Sequence, residues 1–223
     1  MVRKSNTGSL IVTATPRARR RDRQRDAILR AAARLFRERG FADTGMRDIA
    51  AAAELSAANL YHYFDGKHDL LFYCQDRALD RMIAATITAR RESASATERL
   101  RIVCTAHLQT LLDEIEGATA HLQVDSLPPA LRGEIVKKRD RYERAVRKLI
   151  ADGIRAGELV DADPAIITRA MLGAMNWTVT WFRPDGTDTA ARVGEIISRF
   201  LVRGVAMRSP AVKHTLAEVG RRP

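Results

Sequence analysis

TGMRDIAAAAELSAANLYHYFDGKHDLL, residues 44–71, holds two short amphipathic segments with a break between them. Thr44 is placed to cap a first helix over about Gly45 to Ala53, with Met46, Ile49, Ala50 and Ala53 on one face. The pattern stops at Glu54-Leu55. Ser56 then supplies a second cap for a helix to about Phe64, and Asp65-Gly66 closes it before a new helix at Lys67. Two short helices joined by a tight turn form a helix-turn-helix.

The second helix has the composition of one that enters a DNA major groove. Its N-terminal end carries Ser56, Ala57, Ala58 and Asn59, small or polar residues that permit close approach to base edges. An asparagine can bond adenine in two places and alanine methyls can meet thymine, while His62 and Tyr63 can reach further edges or phosphates. Leu60 and Phe64, four residues apart, are expected to face inward.

Working outward, Arg23 to Arg39 presents Ile28, Leu29, Ala32, Leu35 and Phe36 on one helical face, and Gly40 stands at its left-handed C-terminal cap. After Lys67, a long helix to about Arg91 carries Leu70, Leu71, Cys74, Leu79, Met82 and Ile83. Ser93 to Ala96 reads as a linker, and Leu100 to Ile115 as the next helix. Leu127-Pro128-Pro129 breaks a shorter one. Gly133 to Ala156 is a long charged helix that ends at Gly157, with Ile135, Tyr142, Val146, Leu149, Ile150 and Ile154 inward. Asp163-Pro164 is a cap and first-turn pair for an almost wholly apolar helix to about Phe182, and Ala190 to Ala206 is the last helix. The expected class is all-α. It comprises a basic arm over 1–20, a DNA-binding domain over 21–68, a larger helical domain over 69–207 and a tail over 208–223.

Charge supports a nucleic-acid partner. The net charge is +11, and residues 1–25 hold +7 of it, eight basic side chains against Asp22. The arm mixes Ser, Thr, Gly, Pro and Arg without apolar period, which predicts disorder. Arg17, Arg19, Arg20 and Arg21 can then enter an adjacent minor groove, the alternative being a solvated tail.

Other classes fit poorly. Cys74 and Cys104 lack CxxC spacing and read as reduced core thiols. No nucleophile stands with a base, no glycine-rich phosphate loop occurs, and His62 and His68 lie six apart across a break, so neither enzyme, metal nor cofactor is implied. No segment reads as a signal peptide or membrane span, which predicts a cytoplasmic protein with no membrane partner. A nonspecific, architectural DNA-binding protein would explain the arm but leaves the long C-terminal part without a task.

The stretch from Thr44 to Leu71 resembles the DNA-binding signature of the TetR family at Thr44, Ile49, Ala50, Leu60, Tyr61, Phe64 and Lys67. The resemblance implies that Thr44, Tyr61 and Lys67 contact phosphates, with Arg47 a further DNA contact, while positions 57–59 and 62–63 read the sequence of an inverted-repeat operator. Plainer roles stand beside these: packing for Tyr61, a solvated charge for Lys67, an ordinary surface histidine for His62. Glu54 occupies a turn position where the family commonly has glycine, so a residue with a Cβ is expected in a glycine-like conformation there.

The run Asn176 to Gly186, with Tyr142-Glu143-Arg144 before it, is similar to a TetR subgroup that regulates fatty-acid and steroid degradation. Several of those proteins respond to acyl-CoA thioesters, although relatives often carry arginine where this chain has Thr180. The resemblance implies a homodimeric repressor whose last two helices pair with a second copy through Trp181, Ile197 and Leu201. It also implies an effector pocket among His107, Leu111, Tyr142, Met171, Met175 and Trp177, an effector shifting the population away from the DNA-competent arrangement. Tryptophans and methionines at helical spacing also suit a core, and His107 an internally bonded core histidine.

Overall fold

Local signals along the chain become eight α-helices among the described residues, 15–112 and 124–207, of a computed structural model. They are α1 (Pro16–Arg39), α2 (Met46–Ala52), α3 (Ala57–Tyr61), α4 (Lys67–Glu92), α5 (Ala96–Leu112), α6 (Pro129–Arg155), α7 (Pro164–Trp181) and α8 (Ala190–Val205), with a 3-10 turn at Val124–Ser126 before α6. Arg3, Lys4, Ile115 and the tail after residue 207 lie outside the described residues.

The start of α1 corrects the expected arm. The helix begins at Pro16, so Arg17, Arg19, Arg20 and Arg21 stand on a helix and not on an unstructured segment. Proline at the first helical position loses no hydrogen bond, and arginine is a good helix former, so two polar turns extend an otherwise amphipathic helix. The corresponding start of α6 also comes early, at Pro129, carrying the helix through Gly133.

Helix ends follow their local chemistry. Gly40 and Gly157 take positive φ of 84° and 71° after α1 and α6. Asp163 caps α7 by accepting from the amides of Ala165 and Ile166, and Thr189 caps α8 by accepting from Arg192. One contiguous apolar core runs from Ile28 in α1 to Val205 in α8. Helix α4 spans it: Leu70 and Leu71 are buried at one end, Met82 and Ile83 further along.

Polar contacts tie α4 to both sides. Arg77 donates to Asp26 of α1 at 2.6 Å, and Lys138 of α6 reaches Asp76 at 2.5 Å and Asp80 at 2.7 Å. Helices α7 and α8 both pack on α5, where the hydroxyls of Thr105 and Ser198 meet at 2.9 Å. Cys74 and Cys104 are buried free thiols, and burial pushes the Cys104 thiol up to about 12, which keeps it protonated. No described helix is long and apolar enough to cross a membrane.

Candidate functional site

The turn between α2 and α3 sets the angle of the helix-turn-helix. Leu55 donates its amide to Ala50 at 2.9 Å and Glu54 donates to Ala51 at 3.1 Å, the bond pattern of a Schellman cap. Its left-handed position falls on Glu54, at φ 57°, as its place in the turn predicted. The same pattern closes α6, where Gly157 fills that position and Glu158 donates back to Gly153 at 3.0 Å. Here a glutamate holds the turn at a cost of about 1 kcal/mol.

Ser56 caps α3 through the amide of Asn59, at 3.2 Å. Leu60 and Phe64 are buried, which turns Ala58, Asn59, Tyr61 and His62 to solvent, with Ala57 and Tyr63 half-covered. Tyr61 is 51% exposed. Arg47 on α2 is exposed as well.

Two residues expected to contact phosphate have internal hydrogen-bond partners. Thr44 does not cap α2; Gly45 does, donating to Asp48 at 2.9 Å. The Thr44 side chain is buried and its hydroxyl donates to the carbonyl of Gly40 at 2.8 Å, which fixes the loop after α1. Lys67 directs its ammonium to the carbonyls of Phe41, Ala42 and Thr44 at 2.9, 3.0 and 3.4 Å. All three of its protons are thereby taken up by the α1–α2 loop.

The early start of α1 creates a feature that sequence reasoning missed. Arg17, Arg20, Arg21 and Gln24 line one wall of a cleft of about 570 Å³, and Leu55, Asn59, His62 and Tyr63 line the other. Residues 17, 20, 21 and 24 fall on one helical face, whereas Arg19 points elsewhere. The cleft is basic and opens beside the exposed face of α3. Arg25, one residue further on, lays its guanidinium over the rings of Phe64 and Tyr73, at 5.7 and 5.2 Å, and so fastens α1 to the segment after α3 and to α4.

A second cavity, of about 340 Å³, lies among α4, α5, α6 and α7. Of the residues expected there, His107 and Tyr142 line it. Leu111, Met171 and Met175 are buried in the core without lining it, and Trp177 is 67% exposed on a flank of α7 outside the cavity. The turn of a helix separates neighbours by about 100°, so Asn176 faces the cavity and Trp177 faces away. Arg169, Leu172, Gly173 and Asn176 recur at helical spacing on α7, and the polar Arg169 and Asn176, two turns apart in an otherwise apolar helix, are the sequence signal for this lining.

At the cavity wall His107 is completely buried, 3.0 Å from the Tyr142 hydroxyl through Nδ1 and 3.0 Å from Asn176 Oδ1 through Nε2. Desolvation lowers its pKa to about 4, with the Asn176 bond opposing, so the imidazole is neutral. Burial raises the Tyr142 phenol, which stays protonated.

Of the residues expected to pair, Trp181 is exposed and the two on α8 are not fully exposed. Ile197 and Leu201 turn half-buried toward the core. Their neighbours Ile196 and Phe200 are 55% and 74% exposed, and on α7 Ile166, Trp177 and Trp181 are exposed too.

Comparisons with known proteins agree with both halves. Residues 28–74 match the family described as bacterial regulatory proteins, tetR family, and residues 93–205 match the tetracyclin repressor-like C-terminal domain. The transcriptional repressor KstR2 of Mycobacterium tuberculosis is 27% identical over 187 residues, 82% of this chain and 92% of that protein. The crystal structure of the TetR family regulator PfmR from Thermus thermophilus matches at 34% identity and a TM-score of 0.71, over 79% of this chain and 97% of that one. AibR, solved with isovaleryl coenzyme A and operator DNA, matches at 26% identity and a TM-score of 0.65, over 80% of this chain and 96% of that one. With its helix-turn-helix and its C-terminal helical domain each matched, this chain belongs to the TetR family of bacterial transcriptional regulators.

Proposed function

We propose that the chain is a homodimeric repressor that binds an inverted-repeat operator in the cytoplasm and leaves it when a small effector fills the α4–α7 cavity. The observation that carries the DNA-binding half is the exposed face of α3 beside an arginine-lined cleft. Ser56, Ala57, Ala58, Asn59, His62 and Tyr63 meet base edges, while Tyr61 and Arg47 meet phosphates. Arg17, Arg20 and Arg21 act from a helix, gripping the backbone that flanks the groove, in place of the minor-groove insertion expected of a flexible arm. Thr44 and Lys67 serve by holding α2 and α3 in position.

Two copies pair through the outward apolar residues of α7 and α8, which include Trp181 and bring in Trp177 and Phe200. Pairing sets the spacing of two recognition helices to successive major grooves. An acyl-CoA thioester is the effector class we favour. The AibR complex with isovaleryl coenzyme A shows a relative of this fold holding such a ligand. The cavity has the volume for an acyl portion, and Arg169 is exposed at its edge to meet the phosphates of the remainder.

A mobility-shift titration with the DNA upstream of the protein's own gene tests the first half: tighter binding than to scrambled DNA supports the proposal, and equal affinities overturn it. Release by an acyl-CoA series tests the second half, and retention with every chain length removes the effector class.

A further inference from the structure

The polar wall of the effector cavity has a direction. A carbonyl oxygen only accepts, so His107 Nε2, 3.0 Å from Asn176 Oδ1, carries the ring proton. A neutral imidazole has one N–H, so Nδ1 accepts, and the Tyr142 hydroxyl 3.0 Å away donates to it. The chain therefore runs from Tyr142 through His107 to Asn176. It leaves the amide N–H₂ of Asn176 as a donor and the phenol oxygen of Tyr142 as an acceptor, on two residues that both line the cavity. Leu79, Met82 and Leu172 supply apolar wall around them.

We propose that this wall reads a neutral oxygen, a hydroxyl or a keto group, carried on the apolar part of the effector. The inference rests on the effector reading above and narrows it to oxygen-bearing acyl or ring skeletons. A hydroxyl answers both free groups, donating to the Tyr142 oxygen and accepting from the Asn176 amide. A keto oxygen answers the amide alone. A saturated hydrocarbon would close the cavity over an amide donor with no acceptor, which a built polar site penalises heavily. A carboxylate would set its lone pairs against those of Tyr142 beside a neutral imidazole. Of the charged lining residues, Arg169 and Asp140 are solvent-exposed, while Arg139 and Glu143 are half-buried on α6, where Arg139 is engaged within the protein.

The test is calorimetric titration of the full chain with pairs of acyl-CoA thioesters that share a carbon skeleton and differ by one hydroxyl or keto oxygen. The oxygenated member of at least one pair binds tenfold or more tightly, about 1.4 kcal/mol, and Asn176→Leu collapses that ratio to near unity, the saturated member binding as tightly as before or tighter once the unpaired amide donor is gone. Retained DNA binding in the mobility shift certifies that N176L is folded. Should it not be, Asn176→Asp gives the comparison for the keto pairs, losing the donor that a keto oxygen needs while keeping an oxygen for His107. Equal or tighter binding of the saturated members throughout overturns the inference and leaves the thioester reading in place. A preference that survives in a folded Asn176 variant also overturns it. Binding of no thioester at all sinks the effector reading, and the inference falls with it.

Discussion

The ammonium of Lys67 sits 4.7 Å from the centre of the Phe41 ring and donates to the Phe41 carbonyl at 2.9 Å, joining the start of α4 to the loop before α2. Replacing it with methionine keeps the stem and removes three charge-assisted bonds. We expect K67M to lose about 2 kcal/mol, a fall in Tm of roughly 4–8 °C, with the salt dependence of DNA binding unchanged. A slope flattened by about 0.9 at unaltered Tm would show instead that Lys67 serves a phosphate.

The arginine-lined cleft makes the opposite prediction. Arg20→Ala and Arg21→Ala leave Tm within error and flatten the slope of log K against log salt by about 0.9 for each phosphate lost. Arg19→Ala, outside the cleft, is the control and leaves the slope alone. Indistinguishable slopes for all three would remove the cleft from DNA binding.

Glu54 carries a left-handed turn that glycine fills elsewhere in this chain. Glu54→Gly should stabilise by about 1 kcal/mol, raising Tm by roughly 2–4 °C. Calorimetry decides, and a lower Tm would mean that the glutamate side chain holds the turn.

The legibility of this region divides along one physical line. The Ser56 cap and the inward Leu60 and Phe64 are set by neighbours within a few residues, and the sequence shows them directly, while the left-handed Glu54 follows from the family's usual glycine at that position. The internal partners of Lys67 and Thr44 are not legible because they are backbone carbonyls, which have no letter, and the Lys67 acceptors lie more than twenty residues away. The helical state of Arg17 to Arg21 was hidden by the lack of an apolar period, although Pro16 marks the helix start. On α7 and α8 the helices themselves were clear. Which neighbour faces out, Ile196 or Ile197, Phe200 or Leu201, depends on how each helix is rotated against α5, and a stripe of apolar residues on both sides conceals that angle.

Outward apolar residues predict the assembly. Trp177→Glu or Phe200→Glu should convert a dimer to monomers in sedimentation velocity while preserving the helical circular dichroism. Affinity for a two-half-site operator should fall at least tenfold, and an unchanged dimer in both variants would place the pairing surface elsewhere.

Buried His107 makes stability depend on acid. Its pKa in the folded chain, about 4, lies below the ordinary 6.5, so between these values the unfolded chain binds the extra proton. Stability from this group is therefore fully present above pH 6.5 and is lost as pH falls toward 4. The loss is on the order of 3 kcal/mol. His107→Gln should remove that part of the decline in a pH series of urea melts, and parallel declines in both proteins would contradict it.

Helix α4 connects these observations mechanically. Lys67 at its first turn clamps the loop before α2, Arg77 grips α1, and Leu79 and Met82 form cavity wall. Twelve residues separate Lys67 from Leu79, a lever of about 18 Å along the helix axis. A tilt of about 5° pivoting at the cavity would carry the clamped end through about 1.6 Å over that length. The clamp that engages the Lys67 ammonium thus makes it the coupling through which the loop before α2 follows the far end of the rod.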